Sequence, residues 1–534
     1  MKKISSLSLI ITFLIWLIGG PANAMQRSGD INPQSPAWYS CESPIVNIPF
    51  RVYADSKLLT SAKPFALDDH IISASFFHWY TATSGQLSGP WLPLKGRASW
   101  TGSIDWWKTQ IKQIMLANID VLYVHLMPHS EAQRIYFFKA LYEMRLDGYD
   151  VPKIAPFLDP IITWGSSVYD LSIEANREMI VDQYIRFFNQ YYFANPDEFA
   201  DDYLAVIDGR VVLDTWHLSV NFNNISSFHR SDMEGPLIAN FGADHPVFSN
   251  GIYQVTTDSS DTFSFADEKV KQFQIHAYSS ITDYNNIKSV QLKGGYWDQN
   301  IRDPGYCLKR DGGANYSNVW NSVPDPLTVN RVYIESWNEY DEGSGIYAAN
   351  PTNTYIAPSN PSTDTWSRVN NPFEYIKTTY LGARNFRHSE INNKNSVILW
   401  HDFPTNMIIG QSMLCSVYIR NSGFDLWTSN NNYCFGQRLE DDTAFGPGRY
   451  YFNDEENEVD FYGGIFRGRP VKFDVQITAP DVSGVYVTHW GMLQEYVVWF
   501  GESITNTIYV DVPEPGISFI LNLGFILAIY LKKR

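Results

Sequence analysis

Cysteine is scarce in this chain of 534 residues, which contains four cysteines. Their spacing matches no zinc-binding pattern, so a structural zinc domain is not predicted. Cys415 and Cys434 are 19 residues apart in one candidate domain and form a candidate disulfide pair, which leaves Cys41 and Cys307 as the other pair. The sequence alone decides neither pairing.

Basic residues are also few. Lys and Arg number 40 against 57 Asp and Glu, which gives a net charge of −17, and charged residues make up only 18% of the chain. An acidic surface repels phosphate backbones, so nucleic acid is not expected as a partner. Low charge with many uncharged polar residues favours an extracellular protein that acts on neutral polymers.

Several motifs of other enzyme classes are missing from the sequence. No glycine-rich dinucleotide loop follows the first predicted strand, and no serine nucleophile elbow or nucleotide-sugar motif is present. His125 and His129 are four residues apart, but they lie on either side of a strand end and Pro128, which does not favour zinc ligation. Contact with a substrate or a position in the core is expected instead, and no cofactor or metal is predicted.

Aromatic residues, by contrast, are abundant, at 15% of the chain. They fill large cores and the strands of sandwich domains. Their faces also stack on the apolar faces of sugar rings, so composition leaves structural and sugar-binding interpretations open.

The amino end has the features of a secretory signal. Met1-Lys2-Lys3 precedes an apolar run over 7–18, and Ala22-Asn23-Ala24 provides a cleavage site of small residues. This predicts a signal peptide over 1–24, followed by an N-terminal extension over 25–69. The alternative is a transmembrane anchor, against which the short apolar core argues.

The carboxyl end has a Pro-Glu-Pro motif at 513–515, an apolar run over 517–531 and the basic residues Lys532-Lys533-Arg534. The run is shorter than the ~20 residues of a comfortable spanning helix. The order of these parts resembles the PEP-CTERM sorting signal of Gram-negative bacteria. The resemblance implies a removable tail over 513–534, an exosortase-type processing enzyme as partner, transient membrane anchoring, and a secreted or cell-surface location. A plain single-pass anchor is the alternative.

From about residue 70, short apolar runs alternate with longer amphipathic ones. Alternating strands and helices imply parallel pairing. Seven or eight strands over roughly 280 residues predict an α/β fold with a (β/α)₈ TIM-type barrel over 70–395, and a doubly wound open sheet is the alternative. Strands are predicted at 71–80, 119–127, 153–158, 203–213, 272–277, 289–296 and 332–336, and helices at 106–117, 131–146, 172–192 and 374–385.

After residue 395 the pattern changes to short alternating strands, at 413–420, 471–477, 484–489, 496–500 and 507–512. This predicts an all-β sandwich over 396–512. Its aromatic residues resemble those of the four-tryptophan immunoglobulin-like domain of autophagy receptors and bacterial surface proteins. Tyr418 replaces the first tryptophan, and Trp427, Trp490 and Trp499 follow. These aromatics are expected to form the sandwich core rather than a sugar site.

Catalytic groups of such barrels lie at the carboxyl ends of the strands. Polar and aromatic residues occupy these positions along the predicted barrel. The candidates for substrate binding are His78, Tyr80, His125, Asp159, Trp297, Trp337 and Asn338.

Two glutamates, Glu339 and Glu342, follow the last predicted barrel strand. Hydrolysis of a glycosidic bond needs two carboxyls. One protonates the leaving oxygen, and the other is the nucleophile or assists it. Trp337 would provide a sugar-stacking wall of low polarity, and Asn338 would bond a sugar hydroxyl. The alternative is a helix start, because Ser336 and Glu339 have the spacing of a capping box.

The segment over 310–346 resembles the endo-acting α-mannosidases and α-mannanases of glycoside hydrolase family 99. The residues of the resemblance are Arg310, Gly312-Gly313, Tyr316, Trp320 and the run Asn338-Glu339-Tyr340-Asp341-Glu342-Gly343. The resemblance implies that Glu342 is the general acid and then base. It also implies that Glu339 assists the sugar 2-hydroxyl, which gives retention through an anhydro sugar, and that Arg310 and Tyr316 belong to the substrate site.

This chain departs from the family at two places. Asp341 stands where His or Gly is usual, and the loops over 217–290 do not match.

The motif and the export signals together predict an exported retaining endo-glycoside hydrolase of an extracellular polysaccharide, with α-mannoside linkages as the first expectation. A non-catalytic glycan-binding or matrix surface protein with a disabled barrel site is the alternative.

Overall fold

A computed structural model of the chain describes residues 64–82, 87–257, 263–271, 276–351, 354–357, 360–387, 393–438, 443–451 and 464–513. The predicted signal peptide, the predicted sorting tail after Pro513, and Cys41 lie outside these residues. Among the residues described, no helix is long and apolar enough to cross a membrane. The described residues divide into two compact units, one within 64–387 and the other within 393–513.

The first unit is a mixed α/β structure. Its strands are β1 (Ile71–Phe76), β2 (Val121–His125), β3 (Lys153–Leu158), β4 (Tyr169–Asp170), β5 (Val206–Ile207), β6 (Arg210–Trp216), β7 (Phe222–Asn223), β8 (Ile252–Thr257), β9 (Glu268–Val270), β10 (Thr282–Tyr284), β11 (Ile287–Lys293), β12 (Tyr296–Trp297), β13 (Cys307–Leu308), β14 (Arg331–Glu335), β15 (Thr354–Ala357) and β16 (Asn360–Thr365). Its α-helices are α1 (Ile104–Leu116), α2 (Glu131–Leu146), α3 (Pro160–Trp164), α4 (Glu174–Ala194), α5 (Arg230–Phe241), α6 (Ala314–Ser322) and α7 (Glu374–Phe386).

The main sheet is barrel-like. Its strands pair in parallel in the order β11-β14-β1-β2-β3-β6-β8-β9, and β10 and β5 add antiparallel pairs to β11 and β6. The Ser289 hydroxyl of β11 donates to the Lys269 carbonyl of β9, so the two edges of the parallel order meet. Within the described ranges, no α-helix separates β8 from β9 or β9 from β11, so the strict alternation of a (β/α)₈ barrel is incomplete.

Burial on both faces explains why the central strands are continuous apolar runs. Every residue of β1 and of β2 is buried. One face of β1 points into the barrel, and the other packs against the surrounding helices. On that outer face, the Phe76 ring lies 4.3 Å from the ring of Phe137 in α2 and 5.5 Å from that of Trp107 in α1. Ser103 caps α1 by accepting from the backbone N–H of Trp106.

The strand predicted at 203–213 is in fact a hairpin. Asp208 and Gly209 have φ of 51° and 74°, and they turn the chain between β5 and β6, whose residues Ile207 and Arg210 pair antiparallel. An Asp-Gly pair favours such a turn because both residues accept positive φ. The strand predicted at 272–277 is wrong at His276 and Ala277, which lie in a bend, while 272–275 lie outside the described residues. Strand β8 had not been predicted.

The second unit consists of β-sheets. Its strands are β17 (Ser396–His401), β18 (Asn406–Ile408), β19 (Ser412–Asn421), β20 (Tyr433–Gln437), β21 (Arg449–Tyr450), β22 (Pro470–Thr478), β23 (Gly484–Gln494) and β24 (Val498–Asp511). They form one sheet in the order β17-β19-β22 and another in the order β18-β24-β23-β20-β21. Residues of both sheets share one apolar core, in which Trp427 and Trp490 are buried.

Cys415 and Cys434 are not joined, contrary to the candidate disulfide. They lie in β19 and β20, which belong to different sheets. Cys415 is part of the apolar core, whereas the thiol of Cys434 lies 3.9 Å from the carboxyl group of Glu495. The two thiols therefore have separate surroundings.

Substitution of Gly382 tests the packing of α7 against α6. A Cβ at this position would overlap the indole ring of Trp320. We expect Gly382→Ala to lower the free energy of unfolding by about 1–3 kcal/mol, the usual cost of overpacking. Thermal unfolding followed by circular dichroism measures this. Gly235→Ala in α5 is the matched control, since no atom lies within 4 Å of its added Cβ, and equal melting temperatures for both variants would contradict the packing.

Candidate active site

The segment that follows β14 forms a turn at the carboxyl end of the barrel-like sheet. It begins with a cis peptide bond between Glu335 and Ser336. The Ser336 hydroxyl accepts from the backbone N–H of Glu339 at 2.6 Å, as a capping residue does. No helix follows, because residues 340–343 form a turn instead. The helix-start alternative is therefore wrong, and the two glutamates project from a turn.

Glu339 is buried. Tyr80 follows β1, and its hydroxyl donates a short hydrogen bond to Oε1 of Glu339. Burial raises the pKa of Glu339 well above its ordinary value, and the neighbouring charge of Glu342 raises this pKa further. Asp341 and Glu335 act in the same direction, while the hydrogen bond from Tyr80 opposes them. Burial and the neighbouring carboxylates thus favour the protonated form of Glu339.

Glu342 has different surroundings. Its side chain is 21% exposed, and Arg302 donates from Nη2 to its Oε1 atom at 2.6 Å. Its backbone carbonyl accepts from the N–H of Trp297 at 2.7 Å, which joins the turn to β12. The two glutamates of the turn therefore differ in burial and in hydrogen-bond partner.

Asp341 links the loop that follows β1 to this turn by a hydrogen bond. Its Oδ1 atom accepts from the backbone N–H of Ser88 at 2.5 Å. Gly89 follows so closely that a Cβ there would overlap the Tyr340 carbonyl. Arg97 adds a bond to the carbonyl of Gly89 at 3.1 Å. Burial raises the pKa of Asp341, and the backbone donors oppose that shift. The residue that departs from the family pattern is thus engaged in structural hydrogen bonds.

Arg310 supports the turn through hydrogen bonds to backbone carbonyls. It is 1% exposed, and its Nη2 atom donates to the carbonyls of Gly343 and Gly345 at 2.8 and 2.7 Å. The guanidinium lies 4.4 Å from the ring centre of Trp366 and 4.5 Å from that of Tyr375. Arg310 was expected in the substrate site, but these contacts occupy it within the protein.

Three other predicted binding residues are also buried with partners inside the protein. Trp337 is fully buried and donates from Nε1 to Gln110 of α1 at 3.3 Å. Asn338 accepts from the N–H of Phe77 at 2.9 Å and donates to the carbonyl of the same residue at 2.8 Å. Tyr316 shares a 3.0 Å hydrogen bond with Thr379 of α7. None of the three presents a free face to a sugar.

His78 and His125 are histidines of the core. The His125 ring stacks on that of Phe77 with 4.4 Å between ring centres. Burial lowers the pKa of both histidines well below the ordinary value, and the charge of Arg134 lowers both pKa values further. Both rings are therefore neutral. In the part of the chain that the structure describes, no three or more His, Cys, Asp or Glu side chains are arranged so that they could hold a metal ion.

Asp159 lies on the side of the site formed by the ends of β3 and β6. Its Oδ1 atom accepts from the backbone N–H of Ile162 at 3.1 Å and caps α3. Burial raises the pKa of Asp159 to about 7; the charge of Glu342 raises it too, while His217 lowers it. The charge of Glu342 therefore acts on Asp159. Of the predicted residues, the structure brings Tyr80 into contact with Glu339 and Trp297 into contact with Glu342.

Two charged groups near the glutamates were not predicted. One is Arg302, which bonds Glu342. The other is Lys293, whose buried ammonium lies 3.1 Å from Glu335. Lys293 and Glu335 are register partners at the ends of β11 and β14, so strand alignment would have found them. No sequence signal relates Arg302 to Glu342, because the contact depends on how the loop after β12 folds.

Titration of Glu339 tests its surroundings. Glu342→Gln removes a neighbouring negative charge, so we expect the pKa of Glu339 to fall. Tyr80→Phe removes a donor to the carboxylate, so this pKa should rise. Carbon-13 NMR of carboxyl-labelled glutamate measures both changes, with the Glu339 signal assigned by its loss in Glu339→Gln. Tyr316→Phe, which removes another buried hydroxyl, is the control. A Glu339 titration identical in all variants would contradict the coupling.

Arg310→Met tests the support of the turn. The substitution leaves two buried carbonyls without their donor, and each such loss costs about 1–3 kcal/mol. We expect a lower melting temperature and a weaker protection of the Gly343 and Gly345 segment in hydrogen exchange. An unchanged exchange rate in this segment would show that Arg310 does not hold it.

Comparison with known proteins gives weak similarities. No protein-family model and no curated protein match the chain. Among solved structures, the chain is similar to the family 99 endo-α-mannosidase of Bacteroides thetaiotaomicron, at 14% identity over 61% of this chain and 99% of that one, with a TM-score of 0.42. It is also similar to an endo-β-1,4-mannanase of Thermotoga petrophila, at 8% identity over 83% and 98%, with a TM-score of 0.19. At these values the similarities carry no argument about activity.

Proposed function

We propose that this protein is an exported, retaining endo-glycoside hydrolase that acts on an extracellular polysaccharide. The observation that carries the proposal is the unequal pair of carboxyls on one turn. Glu339 is buried, accepts a hydrogen bond from Tyr80 and has a raised pKa. Glu342 is partly exposed and forms an ion pair with Arg302. Glycoside hydrolysis needs one protonated and one ionised carboxyl, and different surroundings are the usual means of separating them.

Burial favours the protonated form of Glu339 before a substrate binds. The family resemblance implies that Glu342 donates a proton and that Glu339 accepts one from the sugar 2-hydroxyl. The two carboxyls interact electrostatically. We therefore propose that a proton passes from Glu339 to Glu342 when a substrate binds at the turn. Retention through an anhydro sugar depends on this transfer.

The finer features of the molecule remain part of the proposal. We propose that the barrel-like sheet is an incomplete (β/α)₈-type barrel that forms the catalytic domain, and that the β-sheets of the second unit have an immunoglobulin-like fold. A cleaved signal peptide, a PEP-CTERM tail removed by an exosortase-type enzyme, and a location at the surface of a Gram-negative bacterium complete it. Polysaccharides with α-mannoside linkages are the first substrates to test, because the motif over 310–346 resembles that of endo-α-mannosidases.

Hydrolysis of a polysaccharide panel tests the proposal, with analysis of the released products. We expect the wild-type protein to release oligosaccharides that retain the anomeric configuration. Glu342→Gln and Glu339→Gln should each lower turnover by about 10²–10⁴-fold, the usual contribution of a general acid or base. Glu143→Gln on α2, which removes a surface ion pair with Lys108, is the matched control and should leave turnover unchanged.

The same panel decides between hydrolysis and simple binding. A disabled barrel would bind a glycan without releasing product, and its affinity would not depend on the carboxyl of Glu339. Binding without cleavage in the wild-type protein would therefore replace the proposal by a glycan-binding or matrix role. Near wild-type turnover of Glu342→Gln would remove this turn as the catalytic site.

A further inference from the structure

Arg302 occupies a position between two carboxylates at the edge of the site. Its Nη2 atom donates to Glu342 at 2.6 Å, and its Nη1 atom donates to Asp298 at 2.8 Å and to the Tyr296 hydroxyl at 3.0 Å. We propose that Arg302 is the positioning residue of Glu342, and that the loop over 298–306 exists to hold it there. This inference rests on the proposed function.

The loop is built around the carboxylate of Asp298, which is fully buried. Its Oδ1 atom accepts from the backbone N–H of Tyr306 at 2.5 Å, and its Oδ2 atom accepts from the Tyr296 hydroxyl at 3.1 Å. Its carbonyl accepts from the backbone N–H groups of Ile301 and Arg302, both at 2.9 Å. The middle and the end of the loop thus donate hydrogen bonds to one residue, Asp298, which fixes the backbone from which Arg302 extends.

The loop closes through Gly305. This residue has a φ of 63°, and a Cβ there would come within 2.5 Å of Oδ1 of Asp298. Only glycine combines that backbone conformation with so close an approach. The loop is also bonded to the one after β1, because Asn300 donates to the carbonyl of Ser88 at 2.5 Å. The Arg302 backbone therefore has little freedom to move away from Glu342.

The contacts of Arg302 favour positioning over substrate binding. Both terminal nitrogens of the guanidinium donate to protein groups, and its side chain is only 17% exposed. Glu342 lies beside Glu339 and Asp341, whose charges repel it once they are ionised. A guanidinium with fixed geometry gives the Glu342 carboxylate one favoured orientation, and charge-assisted hydrogen bonds of this length are the strong ones. The orientation of the carboxylate toward a bound sugar is then set before the substrate arrives.

Kinetics of Arg302 variants test the inference. Arg302→Met should lower kcat by about 10²-fold, because a misplacement of about 1 Å costs that much. KM should change little. Arg302→Lys retains the charge but loses the planar fork, so its kcat should lie between those of the wild type and Arg302→Met. A rise in KM with unchanged kcat would overturn the inference, since it would make Arg302 a substrate-binding residue.

Gly305→Ala tests the loop without changing any charge. The added Cβ displaces Asp298, so we expect a fall in kcat in the same direction as for Arg302→Met. Gly209→Ala is the matched control, because Gly209 also has positive φ, at 74°, but the nearest atom to its added Cβ lies 3.7 Å away. Arg210→Met, which removes an ion pair with Asp267 at the opposite end of β6, controls for the loss of an arginine. Both controls should retain wild-type kcat.

Crystal structures of the wild type and of Arg302→Met provide a readout that does not need a substrate. We expect the Glu342 carboxylate to have one orientation in the wild type and a changed or multiple orientation in the variant. The same orientation in both would overturn the positioning role. If the wild-type protein cleaved no glycan while Glu342 moved in the variant, the proposed function would fail and the positioning role of Arg302 would stand.

Discussion

One buried guanidinium supports the turn on which this site is built. Arg310 donates to the carbonyls of Gly343 and Gly345 and packs against the rings of Trp366 and Tyr375. Carbonyls removed from water need a donor, and a planar cation that also stacks on aromatic rings supplies one in apolar surroundings. The end of the turn is therefore fixed, and the directions in which its acidic residues project follow from it.

The acidic groups around this turn would repel one another if they shared the same surroundings. Each has instead a partner of its own, contributed by a different segment of the chain. Neighbouring carboxyls thus have different surroundings, and such a difference is how active sites separate acid and base roles. The pairs are Lys293 with Glu335, Tyr80 with Glu339, the Ser88 amide with Asp341, and Arg302 with Glu342.

The central strands were predictable because parallel strands covered on both faces are continuous apolar runs, as β1 and β2 are. The hairpin of β5 and β6 was not, although Asp208-Gly209 is a turn signal, because apolar residues on both sides suggested one strand. Trp337 was expected to form a wall for a sugar. Its ring points to α1 instead, because the chain turns directly after β14 and buries that side.

The sequence by itself determined that two glutamates follow the last strand of a parallel sheet, because neighbours in the chain remain neighbours in the fold. It also determined which runs are apolar enough to form the buried strands. Only the tertiary structure decided the role of each polar residue near the glutamates. Arg310 and Asn338 donate hydrogen bonds to backbone carbonyls, whereas Arg302 donates to a glutamate carboxylate. A side chain's partner depends on which strand ends and loops meet in space, and that meeting is a property of the whole sheet.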